Sequence, residues 1–134
     1  MIDGLYGINI AVRDLDEATA RFESLLGSPG QAMGADDFAF PGLRGTRFAV
    51  GGLYIHLLAS TRSDTAIARF VEKRGEGVFL IQLRTQDLGT VLTSLKARGI
   101  GPLHDPPQDT FLGRVTFIHP KDLHGVQMEL IETH

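Results

Sequence analysis

The chain has 134 residues, of which 43% are hydrophobic and 22% charged, with a formal net charge of −3. That balance suits a soluble domain with its own core, and the mild charge without a basic stripe excludes a nucleic-acid partner. The sequence holds no cysteine, which excludes a disulfide framework and thiolate metal sites. No apolar run approaches the roughly 18 residues of a membrane helix. The opening MIDGLYGINI lacks the basic start and long apolar segment of a signal peptide, so a cytoplasmic location with no membrane partner is expected.

In chain order, YGINIAV alternates, with Ile8, Ile10 and Val12 on one face and Gly7, Asn9 and Ala11 on the other, which predicts a strand. Asp14 fits a helix N-cap, with Glu17 three residues on to complete a capping box. Ala18, Phe22 and Leu25 form the apolar stripe of that helix, and Gly27 its stop. The segment GSPGQAMGADDFAFPGLRG reads as a Gly-rich mobile loop, without the Gly-Lys-Ser/Thr ending that holds phosphate. TRFAV and LYIHLLA follow as strands, and SDTAIARFVEKRG carries helical spacing at Ala66, Ile67, Phe70 and Val71. VFLIQLR predicts the next strand. Gln86 or Asp87 starts a second amphipathic helix with Leu88, Val91, Leu92 and Leu95 inward, and Gly99 ends it. Lys96 and Arg98 sit in its last turn, where the helix dipole favours cations. The proline-rich PLHDPPQD is a stiff lid or connecting loop holding His104 and Asp105. RVTFIH and VQMELIE close the chain as strands, joined by a turn through His119, Pro120, Lys121 and an exposed His124. His134 is terminal and expected to be disordered.

The chain repeats itself. GLYIHLLAST lies over GVQMELIETH at an offset of 73, and INIAVRDLDEA lies over IQLRTQDLGTV at the same offset. The repeat predicts one domain over 1–134: module one at about 4–60, a connecting helix at about 62–74 and module two at about 77–132. Each module reads strand, helix, then two or three strands. Strand alternation puts Leu53, Ile55 and Leu57, with Phe79, Ile81 and Leu83, and Val126, Met128 and Leu130, under the helices. The opposite face then carries Tyr54, His56 and Leu58; Leu80, Gln82 and Arg84; Gln127, Glu129 and Ile131. It is polar for the middle of a sheet and symmetric, since Asn9 matches Gln82, Tyr54 matches Gln127 and His56 matches Glu129. Two such sheets side by side would curl into a trough.

With these residues in view, the sequence resembles the vicinal oxygen chelate superfamily, which includes glyoxalase I, extradiol dioxygenases, bleomycin-binding proteins and methylmalonyl-CoA epimerase. INIAVRDLDEATARFESLLG, EKRGEGVFLIQLRTQDL and FIHPKDLHGVQMELIE are similar to the opening, middle and closing segments of the epimerase branch. The resemblance implies an α+β fold of paired βαβββ modules forming a curved mixed β-sheet trough, and a homodimer. It also implies a divalent metal (Zn, Co, Mn, Ni or Fe) with last-strand ligands at His56 and Glu129. The family's first-strand ligand positions fall on Gly7 and Leu80, which have no donor atoms and point instead to a cleft without a cofactor.

Two readings follow. The first is a small-molecule enzyme of the epimerase, isomerase or lyase kind, acting on a carbonyl acid or acyl thioester. Glu129 accepts a proton alpha to the carbonyl, His56 delivers one or polarises the carbonyl, and Asn9, Gln82, Tyr54 and Gln127 line the substrate. Arg47, Arg84 and Arg114 are candidates for holding a carboxylate or phosphate. Without a metal, His56 and Glu129 are expected to hydrogen-bond each other. The second reading is a metal-free protein of the bleomycin-resistance kind that sequesters a small-molecule ligand; its low aromatic content of 7% argues against a planar one.

Overall fold

In the computed structural model, residues 1–133 are described; His134 lies outside them. The element order is β1 (Ile2–Ala11), α1 (Leu15–Leu26), β2 (Gln31–Met33), β3 (Leu43–Val50), β4 (Leu53–Ser60), α2 (Ala66–Arg74), β5 (Gly77–Thr85), α3 (Leu88–Ala97), β6 (Gln108–Thr110), β7 (Gly113–Ile118) and β8 (Met128–Thr133). The order strand, helix, three strands therefore occurs twice, with α2 between the copies, and the fold is α+β. The chain divides into two compact units, residues 8–79 and residues 1–7 with 80–134.

In the unit of residues 8–79, β2, β3 and β4 form an antiparallel meander with β1 beside β4. Helix α1 starts where Asp14 accepts a hydrogen bond from the Glu17 N–H at 3.1 Å. The Glu17 carboxylate turns to Arg21 on the next turn, at 3.2 Å, so the Asp14 side chain makes the cap. Gly27 ends the helix with φ 68°, a left-handed conformation that is cheap only for glycine. The inward stripe is Leu15, Ala18, Phe22 and Leu26, packed on Val12, Phe48, Leu57 and Ala59. Leu25 is 76% exposed, a correction to the expected stripe: an interval of four from Phe22 follows the helix better than three, because 3.6 residues make a turn. Helix α2 packs Ile67, Phe70 and Val71 against Ala11 and Leu58. Two positions expected on the open polar face are thereby covered. The stretch read as one loop before β3 contains β2, whose three residues pair with Gly45, Thr46 and Arg47.

In the other unit, β5 runs parallel to β8, and β7 and β6 follow antiparallel. Residues 1–7 join this unit, where Thr85 donates to the Met1 carbonyl at 2.7 Å. Asp87 caps α3 by accepting from the N–H and hydroxyl of Thr90. The helix ends in a Schellman motif: Gly99 N–H reaches the Lys96 carbonyl and Ile100 N–H the Leu95 carbonyl, both at 3.0 Å. Leu88, Val91 and Leu92 pack on Ile118 and Leu130, with Leu83, Leu95, Ile100 and Met128 around them. Each fully buried side chain of this size contributes roughly 1.5–3 kcal/mol. Strand β8 begins at Met128, later than expected; Val126 is 37% exposed.

Candidate functional site

In each unit, one buried ionisable side chain from a last strand meets an amide from a first strand. In the unit of residues 8–79, His56 on β4 is 4% exposed, and its Nδ1–H donates to Asn9 Oδ1 on β1 at 2.9 Å. In the other unit, Gln82 on β5 donates from Nε2 to Glu129 Oε1 on β8 at 3.0 Å. Gln82 is 3% and Glu129 8% exposed. Asn9 and Gln82 are 73 positions apart, as are His56 and Glu129. The repeat seen in the sequence thus reproduces a whole cross-strand pair. Each ionisable group is hydrogen-bonded to its own module's amide.

Around His56, strand alternation and register bring Tyr54 and Arg47 to the same face, since Arg47 is the cross-strand partner of His56. The Tyr54 and His56 rings stack with centroids 5.9 Å apart, and the Arg47 guanidinium lies 3.8 Å over the Tyr54 ring. That places a cation on an aromatic face.

Around Glu129, the register places Gln82 on β5 and Phe117 on β7 as its direct neighbours. Even-numbered residues of β7 and β8 face α3, so Glu129, Phe117, Val115 and Gln82 share the opposite face. Burial raises the Glu129 carboxyl to about 7, with the Gln82 hydrogen bond opposing the rise. Gln82 Oε1 is buried and has no hydrogen-bond partner among the described residues.

Two of the arginines expected to bind a ligand pair with carboxylates of this chain. Arg114 lies on the α3 face, 3.5 Å from Glu132, whose other carboxylate oxygen accepts from the Leu88 N–H at the start of α3. Arg84 pairs with Asp3 at 3.3 Å. Both side chains are 44% exposed. Gln127 precedes β8 and contributes its carbonyl to the Ile81 N–H at 3.1 Å. Phe117 was legible as part of a strand, but its place beside Glu129 needed the register.

The donor set does not fit a catalytic divalent metal. Gly7 and Leu80 supply no donor atom, and no group of three His, Asp or Glu side chains suited to an ion occurs among the described residues. Three protein ligands are the usual minimum for such an ion.

Residues 5–130 match the family model "Glyoxalase/Bleomycin resistance protein/Dioxygenase superfamily". The mitochondrial methylmalonyl-CoA epimerase of Homo sapiens is 30% identical over 125 residues, spanning 92% of this chain and 70% of that protein. The crystal structure of methylmalonyl-CoA epimerase from Mycobacterium tuberculosis superposes with a TM-score of 0.85 at 31% identity, covering 99% of this chain and 89% of that one. A Streptomyces coelicolor methylmalonyl-CoA epimerase variant in complex with 2-nitronate-propionyl-CoA gives 0.81 at 31% identity, covering 97% and 94%. By family match, sequence and fold together, the chain belongs to the glyoxalase/bleomycin resistance protein/dioxygenase superfamily.

Proposed function

We propose that this chain is an epimerase, isomerase or lyase acting on a carbonyl acid or acyl thioester, with Glu129 moving the proton on the carbon next to the carbonyl. The observation that carries this reading is the Glu129–Gln82 pair: a buried carboxyl, held by one amide, that titrates at about 7. Such a group both takes and returns a proton near neutral pH, which general acid–base catalysis requires. The complexes of its relatives with acyl-CoA ligands support a thioester as substrate.

The chemistry balances without a cofactor. The C–H bond breaks, its proton passes to the Glu129 carboxylate, and the electron pair moves onto the carbonyl oxygen. Protonation of that carbon from the other face, with loss of the charge on oxygen, gives the epimer. The proton for this second transfer comes from water, to which Glu129 returns its own; His56 holds the equivalent position in the other module, oriented by Asn9 through Nδ1.

The test is proton exchange. Incubated in D₂O with methylmalonyl-CoA, the protein is expected to incorporate deuterium at the alpha carbon by NMR, and Glu129→Gln to lose at least about 100-fold of that rate. A wild-type protein that binds the thioester and returns it without deuterium would sink the enzymatic reading and support sequestration.

A further inference from the structure

On the Glu129 face of the unit of residues 1–7 and 80–134, we infer that β7, β6 and the segment before β6 form a binding strip for the amide-bearing arm of a thioester substrate. The strip deepens the thioester reading above and rests on it. Phe117 is the direct cross-strand partner of Glu129. Val115 stands two residues from Phe117 on the same face, and Gln108 on β6 is the cross-strand partner of Val115. Cross-strand partners project to one side of a sheet, so Glu129, Phe117 and Gln108 form a diagonal row. Gln108 is half-buried, yet its Oε1 is wholly buried and accepts no hydrogen bond among the described residues. A buried amide oxygen without a donor is costly, and a ligand N–H or O–H satisfies it.

The far side of the row is built to hold a fixed wall. The His104 ring meets Phe117 edge to face, with centroids 5.8 Å apart at 72°. The His104 backbone is clamped at both ends by the fully buried Thr116 hydroxyl, which accepts from its N–H at 3.2 Å and donates to its carbonyl at 2.7 Å. The next residue back, Leu103, donates to the Phe117 carbonyl at 2.8 Å. His104 is thus held against the strip by the sheet edge itself, rather than left in a free loop.

Two strand spacings and a two-residue step along the strand separate Glu129 from Gln108, about 12 Å. A ligand reacting at Glu129 therefore crosses a half-buried aromatic ring before it reaches an acceptor that lacks a donor. Methylene groups suit the ring and an amide N–H suits the acceptor. That sequence of groups describes an uncharged, amide-bearing arm rather than a phosphate or a simple acid.

NMR titration with propionyl-pantetheine, which carries the arm, and S-ethyl thiopropionate, which lacks it, tests the strip. Gln108→Met, close in size, is expected to weaken propionyl-pantetheine by about 3–10-fold and to leave S-ethyl thiopropionate unchanged. His104→Ala, whose backbone clamp does not need the ring, is expected to weaken the same probe selectively. If both variants bind propionyl-pantetheine as tightly as wild type, or weaken both probes equally, the strip is overturned while the thioester reading stands. If wild type binds neither probe, the thioester reading fails, and the strip with it.

Discussion

Replacing Glu129 by glutamine is expected to make the protein more stable at alkaline pH and to change its stability little in acid. The carboxyl is 8% exposed and sits at about 7 in the folded chain, against 4.5 for an unburied glutamate. The native state therefore holds a proton that the unfolded chain has released between those two values. Unfolding stability falls as pH rises through that window and levels off above it. The gap corresponds to about 3 kcal/mol of native-state destabilisation at full ionisation, of which about 2.5 kcal/mol develops between pH 5 and pH 8. The substituted amide keeps an oxygen that accepts from Gln82 and cannot ionise, so the variant escapes the loss. Urea unfolding of both proteins at pH 5 and pH 8 measures it. The variant's advantage should grow by about 2–3 kcal/mol over that range. A constant difference at the two values would refute the argument, because it would mean that Glu129 is as ionised when folded as when unfolded.

Three further outcomes are expected. Asn9→Leu removes the acceptor from the buried His56 Nδ1 and should cost about 1–3 kcal/mol, read from the urea midpoint; no change would show that this bond contributes nothing. Gly113→Ala should cost about 3 kcal/mol or more, or prevent folding. At φ 133° its new methyl would lie 2.1 Å from the Glu132 carbonyl oxygen, and backbone cannot step aside. In α1, Leu26→Ala should cost about 1–2 kcal/mol and Leu25→Ala under about 0.5 kcal/mol, a contrast that thermal melts of the two variants will resolve.

Much of this architecture was legible because the same short-range signals occur twice. Asp14 and Asp87 announce helix starts by residue type alone, and Gly27 and Gly99 announce the ends. The polar residues of the alternating strands pointed to Asn9, His56, Gln82 and Glu129. Alternation assigns a face but not a neighbour, so the pairing of each ionisable group with its own module's amide was not visible until the strands were in register. Register also corrected Arg114, which one-residue parity places on the α3 side. Strands β2 and β6 have three residues each, too few for a period to emerge among glycines and prolines. Leu25 and Leu26 are chemically identical, and only the helix phase set by Leu15 and Phe22 separates them.

Residues 1–7 belong with residues 80–134 and not with the stretch that follows them. A segment that precedes residues 8–79 is thus needed by the unit that follows them. During synthesis, residues 8–79 emerge before residues 80–134, whereas residues 1–7 must wait for that later stretch to complete their unit. Closing that long loop carries an entropy cost that grows only slowly with its length, and it sets a late, non-local step in folding. A truncation that removes the first seven residues would therefore weaken the C-terminal unit, the one that holds Glu129, and leave the residues adjacent in sequence comparatively intact.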